Sequence, residues 1–297
     1  MRGKLAACGP EASGLDRSAD FRDKFAKGES QMSLRTVLLL AMIAFAVPAA
    51  GQEARRDLCP DRPGLGTPAC TLDAGAVMLE VGIADWTLDR SADSRTDAFA
   101  FGDMLLRAGI TPSLEVQLGW TMVGHMRERD RTSGDLTRRT RTGDVTLALR
   151  QNLHSPDGSG FAAAVMPYAT LPVGGEGVGA GDWGAGLIVP VSFELGAVSL
   201  GFSPHIDAAV DGDGDGRHLS WGSVAGIGFG VSDDLSMTAE LSLTRDRDPG
   251  GHSTEALAGL SAGWQVDDDS QWDVGANIGL NRDSPDLELY FGYARRF

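Results

Sequence analysis

The chain has 297 residues, 40 of them glycine, with 26 Lys+Arg against 41 Asp+Glu and a net charge of −15. That acidity argues against a nucleic-acid partner, because a phosphate backbone demands a basic face. No apolar run reaches the about 20 residues of a membrane-spanning helix, so any crossing of a bilayer falls to strands.

The first 31 residues have mixed charge and no periodicity, and read as a spurious extension upstream of Met32. Arg35, the apolar run Val37–Val47 and the small residues Pro48, Ala49, Ala50 and Gly51 come next. A basic start, a short greasy core and a small-residue exit describe a secretory signal peptide over 32–51. Residues 52–74 then form a turn-rich periplasmic segment, "CPDRPGLGTPAC" at its centre. In an exported chain Cys59 and Cys70 can join as one disulfide, with two free thiols as the alternative. The composition of this segment leaves open whether it serves as a plug.

From 75 to the end the chain alternates greasy and polar residues in runs of about ten, each closed by a turn. Leu114, Val116, Leu118, Trp120 and Met122 share one face of an extended strand, with Glu115, Gln117, Gly119 and Thr121 on the other. Val145, Leu147 and Leu149 oppose Thr146, Ala148, Arg150 and Asn152 in the same way. Trp272, Val274, Ala276, Ile278 and Leu280 oppose Asp273, Gly275, Asn277, Gly279 and Asn281. The pattern predicts about 12 strands, near 76–86, 96–110, 113–123, 143–153, 161–171, 183–195, 197–210, 219–231, 235–243, 254–266, 272–281 and 286–297. Pro167 and Pro190 fall inside strands, where each removes a ladder donor and predicts a bulge.

Short turns follow the even strands. Longer polar links, at 87–95, 124–142, 172–182, 211–218 and 244–253, follow the odd ones. This segregation predicts an all-β, transmembrane, up-and-down antiparallel barrel with short periplasmic turns and longer outer loops. The polar face is crowded with Gly, Ser and Ala, as an enclosed interior requires, rather than with the long charged residues of a solvated surface. Trp183, Trp221, Trp264 and Trp272 sit near strand ends, where aromatic girdles occur; Trp86 and Tyr168 do too, but on the inward register. The last strand must pair with the first, which explains why the alternation runs to the terminal residue.

Charged residues on the inward register are Glu80, Arg107, Glu115, Arg150, Glu194, His205, Asp207, Glu240, Asp273 and Glu288. They are expected to line the lumen, pairing across it to plug it or set its selectivity. Arg127, Arg129, Arg131, Arg138, Arg139 and Arg141 crowd one outer loop, and their guanidinium forks suit phosphate or carboxylate. That suggests contact with lipopolysaccharide or attraction of anions, against the alternative of a loop solvated by its interleaved acids. "DGDGDG" supplies Asp211, Asp213 and Asp215 with calcium-loop spacing, but the twelfth position is Gly222 and closes no site. "GAGDWG" at 179–184 precedes a strand, not the helix that a dinucleotide loop needs. His218 and Ser220 near the rim offer the elements of a hydrolase without a nucleophile elbow or a third member. No cofactor and no chemistry are expected.

The stretches "CPDRPGLGTPACTLDAGAVMLEVG", "LLRAGITPSLEVQLGW", "GDVTLALRQNL", "GAGLIVPVSFEL" and "GANIGLNRDSPDLELYFGYARRF" resemble a family of outer-membrane barrels, the phenol meta-pathway degradation proteins, often called transporters. The likeness spans essentially the whole mature chain. It implies a place in the bacterial outer membrane, in contact with its lipid, and passage of small, hydrophobic or aromatic solutes. Phe291, Tyr293 and Phe297 at alternate positions resemble the C-terminal signal that the barrel-insertion machinery reads.

Overall fold

A strand with one greasy and one polar face must hide one of them from the wrong solvent. The chain does so by curling a single antiparallel sheet until its edges meet. The computed structural model describes residues 55–297 apart from 176, 177 and 215, so the expected extension and signal peptide lie outside the described residues. The strands are β1 (Val77–Arg90), β2 (Ser94–Thr111), β3 (Leu114–Asp130), β4 (Leu136–Arg141), β5 (Val145–His154), β6 (Phe161–Leu171), β7 (Gly184–Ile188), β8 (Val191–Leu195), β9 (Val198–Val210), β10 (Arg217–Gly230), β11 (Leu235–Asp248), β12 (Gly251–Asp267), β13 (Ser270–Gly279) and β14 (Leu287–Arg296).

These make 12 barrel staves. β7 and β8 are two halves of one stave, both lying between β6 and β9 and separated where Pro190 interrupts the ladder. β4 pairs only with β3, outside the ring. β14 pairs with β1 from Met78↔Arg296 to Leu88↔Leu287. The terminal Phe297 still donates its N–H to the Val77 carbonyl at 2.7 Å. Closure leaves no edge whose amide groups would face hydrocarbon.

The apolar face points outward. Leu118, Leu147 and Ile278 are 39%, 44% and 51% exposed, whereas Glu115 and Arg150 are at 0% and Asn277 at 3%. A water-soluble barrel requires the reverse. With a greasy exterior, a polar interior and a sheet closed on itself, the molecule is an outer-membrane barrel.

Several expected links are strands. β1 and β2 stay paired up to Arg90↔Arg95, β11 and β12 up to Asp248↔Gly251, and 124–141 forms a hairpin of β3 with β4. Alternation stops where both faces are wet, but backbone pairing continues. Trp86 is a second correction. A register shift between Gly82 and Ala84 moves it from the expected inward side to the face of Leu289, which is 41% exposed. There it stacks on Phe99 at 6.5 Å, and Phe99 on Phe101 at 6.3 Å. Tyr168 does face inward, its hydroxyl donating to Asp207 at 2.6 Å.

Candidate functional site

The lumen at the short-turn end is filled by the chain's own segment 55–75, in which Ala69, Cys70, Thr71 and Leu72 are buried. Its Pro and Gly content prevents a strand of its own, so its amide groups must find partners on the wall. The Cys59–Cys70 disulfide closes its central loop. At its exit the Gly75 and Gly109 backbones meet, with Gly75 N–H donating to Gly109 O at 2.8 Å, and a Cβ at Gly109 would overlap the Asp73 carbonyl.

The wall grips this plug through charged side chains on β1, β2, β3 and β5. Arg107 lies 3.0 Å from Asp61, 3.1 Å from Glu80 and 3.0 Å from Glu115. Arg150 lies 2.6 Å from Asp61 and 3.3 Å from Glu115. The remaining capacity goes to plug backbone. Glu80 accepts the N–H groups of Asp61 and Arg62, and Glu115 accepts that of Leu72. Arg107 donates to the Cys59 carbonyl, Arg150 to that of Cys70, and Asn152 to that of Ala69. Burial alone raises the pKa of the Asp61 carboxyl, but Arg150 and Arg107 outweigh it and hold the group below its ordinary range.

Three further contacts hold the plug from other directions. Glu240 on β11 accepts the N–H groups of Leu65 at 2.7 Å and Gly66 at 2.9 Å, both made reachable by the positive φ of Gly64. Arg62 lies 3.2 Å from Asp273 and 3.5 Å from Asp85, with its guanidinium over the Tyr290 ring. Arg296 donates to the Arg56 carbonyl at 2.7 Å. Of the ten expected lumen residues, Glu80, Arg107, Glu115, Arg150, Glu240 and Asp273 thus meet on the plug. Glu288 stands on its long-loop side, His205 and Asp207 form a pair at 3.7 Å, and Glu194 sits exposed at the short-turn rim, accepting from Gly160.

The plug does not fill the section evenly. Against β8–β11 the wall presents Ser192, Ser199, Gly201, Gly226, Gly228 and Thr238, and a cavity of about 190 Å³ lies between them and Pro60 and Pro63, while Thr67 is tied to the wall through Ser203. A cavity of about 450 Å³ adjoins it, lined by Leu58–Pro60, Gly196–Ser199 and Ser236–Thr238. On the long-loop side of the plug lies another of about 250 Å³, bounded by Arg62, Asp85, Asp103, Asn277, Glu288 and Tyr290.

The six loop arginines do not form one patch. The register sets Arg127 against Arg138 and Arg129 against Leu136 on one face of the hairpin, and Arg139 against Met126 and Arg141 against Gly124 on the other, with Arg131 in the turn. The first face continues into Phe99 and His125. In the "DGDGDG" loop, Asp211 turns onto His218, its carboxylate 2.9 Å from Nδ1, while Asp246 holds Nε2 at 2.8 Å. Asp248 completes a group with metal-type spacing, whereas Asp215 lies outside the described residues. With both ring nitrogens of His218 taken by carboxylates, none is left for Ser220, and no hydrolytic pair assembles. At the terminus Trp272 stacks on Phe291 at 5.3 Å and meets Tyr293 at 4.7 Å, with Phe297 exposed.

Sequence reasoning missed Asp61, Arg62 and Arg296, the plug's principal fastenings apart from the wall acids. The first two stand in a segment with no period to read. The third has the inward parity of the last strand, which was a usable signal.

A family model described as "Putative MetA-pathway of phenol degradation" matches residues 61–297. No curated protein matches the chain in sequence. Among solved structures, the translocator domain of the autotransporter NalP from Neisseria meningitidis superposes with a TM-score of 0.47 at 11% identity, over 75% of this chain and 89% of that one. The NanC porin gives 0.45 at 8% identity, over 74% and 98%. The CymD monoaromatic hydrocarbon channel gives 0.38 at 10% identity, over 76% and 89%.

Proposed function

The chain belongs to the family described as "Putative MetA-pathway of phenol degradation", and on that premise we propose that it is a passive outer-membrane channel for small solutes. The observation that carries this reading is the uneven plug. One side of segment 55–75 is fastened by ion pairs, while the other touches the wall through hydrogen bonds of Leu65, Gly66 and Thr67 to Glu240 and Ser203 and leaves open space beside the wall's glycines and serines. A barrel whose interior served only stability would pack that side as tightly as the first. The family description makes small aromatic compounds the first class to try. Reconstitution into planar bilayers tests the proposal. Discrete conductance steps and solute flux into liposomes are expected; their absence from correctly folded protein would refute it.

A second role is favoured by the hairpin. Arg127 and Arg138 stand directly opposite each other on one face, with Arg129 beside them and with Asp97 across from Arg127 on its other side. Like charges opposed across a ladder are destabilising. Their face continues into the outer wall beyond the Phe99–His125 aromatic pair, and guanidinium forks suit the phosphates of lipopolysaccharide. The Arg127→Ala, Arg129→Ala, Arg138→Ala triple variant should fold normally yet bind lipopolysaccharide more weakly, with a smaller salt dependence. Unchanged binding would remove this role.

A further inference from the structure

The inward face of β9 and β10 carries open spaces of the lumen one after another. The register sets Ser220 against Asp207, Gly222 against His205, Val224 against Ser203, Gly226 against Gly201 and Gly228 against Ser199. The last three pairs border the cavity beside the plug, and Ser199 and Gly228 also border the larger one toward the short turns. Ser220 and Asp207 border a further cavity of about 240 Å³ on the long-loop side, together with Tyr168, Thr170, Ala180 and Ala209. Between this outer cavity and the one beside the plug stands the pair Gly222–His205. The His205 ring lies against Gly222, where a Cβ would come within 2.9 Å of its Cε1. At Gly201, by contrast, an added Cβ meets nothing within 4 Å. Neither a turn nor a close approach accounts for that glycine, and its missing side chain leaves space.

The polar groups of the outer cavity say what it takes. Ser220 is 5% exposed, lines the cavity, and its hydroxyl has no hydrogen-bond partner among the described residues. A buried hydroxyl left unpaired is costly. The two carboxylates that border the cavity are already engaged. Asp207 accepts the Tyr168 hydroxyl at 2.6 Å and has His205 at 3.7 Å, and Asp182 pairs with Arg217 at 2.8 Å. A charged solute would shed its water there without gaining a free counter-charge. An uncharged solute with a hydroxyl meets no such penalty. It exchanges a hydrogen bond with Ser220 and lays its apolar part on Ala180 and Ala209.

We infer that solutes cross the barrel along β9 and β10, entering by the Ser220 cavity, and that this cavity takes uncharged alcohols with a small apolar body. The inference rests on the channel reading and adds to it the route, the residue that stands between the two cavities, His205, and the polar group that the solute carries. Wall residues of the ion-paired grip on the plug, Glu80, Arg107, Glu115 and Arg150, stand on β1, β2, β3 and β5, strands that the route does not follow. The hydroxyl, not an aromatic ring, is what Ser220 selects.

Conductance of the reconstituted barrel tests both parts. For the route, Gly201→Cys and Ser220→Cys are treated with hydroxyethyl methanethiosulfonate, a small neutral thiol reagent, and the current through each is expected to fall severalfold. The same treatment of Gln117→Cys, on the gripped side, should change nothing. For the solute, cyclohexanol should reduce the wild-type current reversibly, whereas cyclohexanecarboxylate and cyclohexylammonium should not. Ser220→Ala should weaken the cyclohexanol block severalfold, with heat-modifiable migration on gels confirming a folded barrel. A conducting protein whose Gly201→Cys and Ser220→Cys variants ignore the reagent would overturn the route. A block that is absent, equal for the three compounds or indifferent to Ser220→Ala would overturn the alcohol site. Either result leaves the channel standing. A folded wild type that never conducts would overturn all three.

Discussion

Arg107 shows how one residue binds two parts of the molecule. Its guanidinium is fully buried and meets Asp61 from the plug and Glu80 and Glu115 from the wall. Removing one partner of such a cluster leaves the others charged and unpaired, at a cost of about 3–5 kcal/mol. Arg107→Met should therefore loosen the plug while sparing the barrel, whose lipid-facing wall it does not touch. Proteolysis within 55–75 should become faster, with heat-modifiable migration unchanged. Asp61 adds a pH dependence. Its carboxyl is held below the ordinary value, so the folded state binds its proton less readily than the unfolded chain. The stabilisation it contributes is full above the ordinary carboxylate pKa of about 3.9 and fades as the pH falls through the lower, folded value. Protease sensitivity of the plug should rise below about pH 4 and stay flat between neutrality and that point, with Asp61→Asn flattening the acid limb. The wall's Arg107, Arg150, Glu80 and Glu115 were legible from parity alone. Asp61 and Arg62 were not, since nothing in a turn-rich segment says which wall it will meet.

At the scale of the strand, the two faces obey opposite rules. Leu118 lies on the outer face near the middle of the paired span of β3. A charge placed there must leave water for hydrocarbon, and Leu118→Arg should destabilise folding into lipid by about 2–4 kcal/mol, read by denaturant titration in liposomes. The neighbouring inward position Gln117 should accept a polar replacement at well under that cost. Boundaries were less legible than faces. The alternation of β3 fades after Met122, yet the strand runs on to Asp130 and returns as β4. Side-chain pattern records where a strand meets lipid, whereas hydrogen bonding decides where it ends. The bulge that turns Trp86 outward was equally hidden, because one extra residue reverses parity without altering composition.

For the whole molecule the question is what the plug does to flow. If solutes pass beside it, deleting residues 55–72 should raise single-channel conductance severalfold and erase discrimination among solutes, without preventing barrel assembly. Unchanged conductance would mean that the segment does not lie in the path. Period-two alternation, the order of short and long links and the aromatic terminus were enough to determine a closed membrane barrel, because lipid outside and an enclosed interior leave one arrangement for strands with such faces. Only the tertiary structure decided that segment 55–75 fills the lumen, which wall it grips, and that Asp85, Asp103, Glu288 and Asn277 gather beyond it. Parity tells which way a side chain points along its own strand; which strands stand across from one another is set by ring closure and by a plug that carries no period at all.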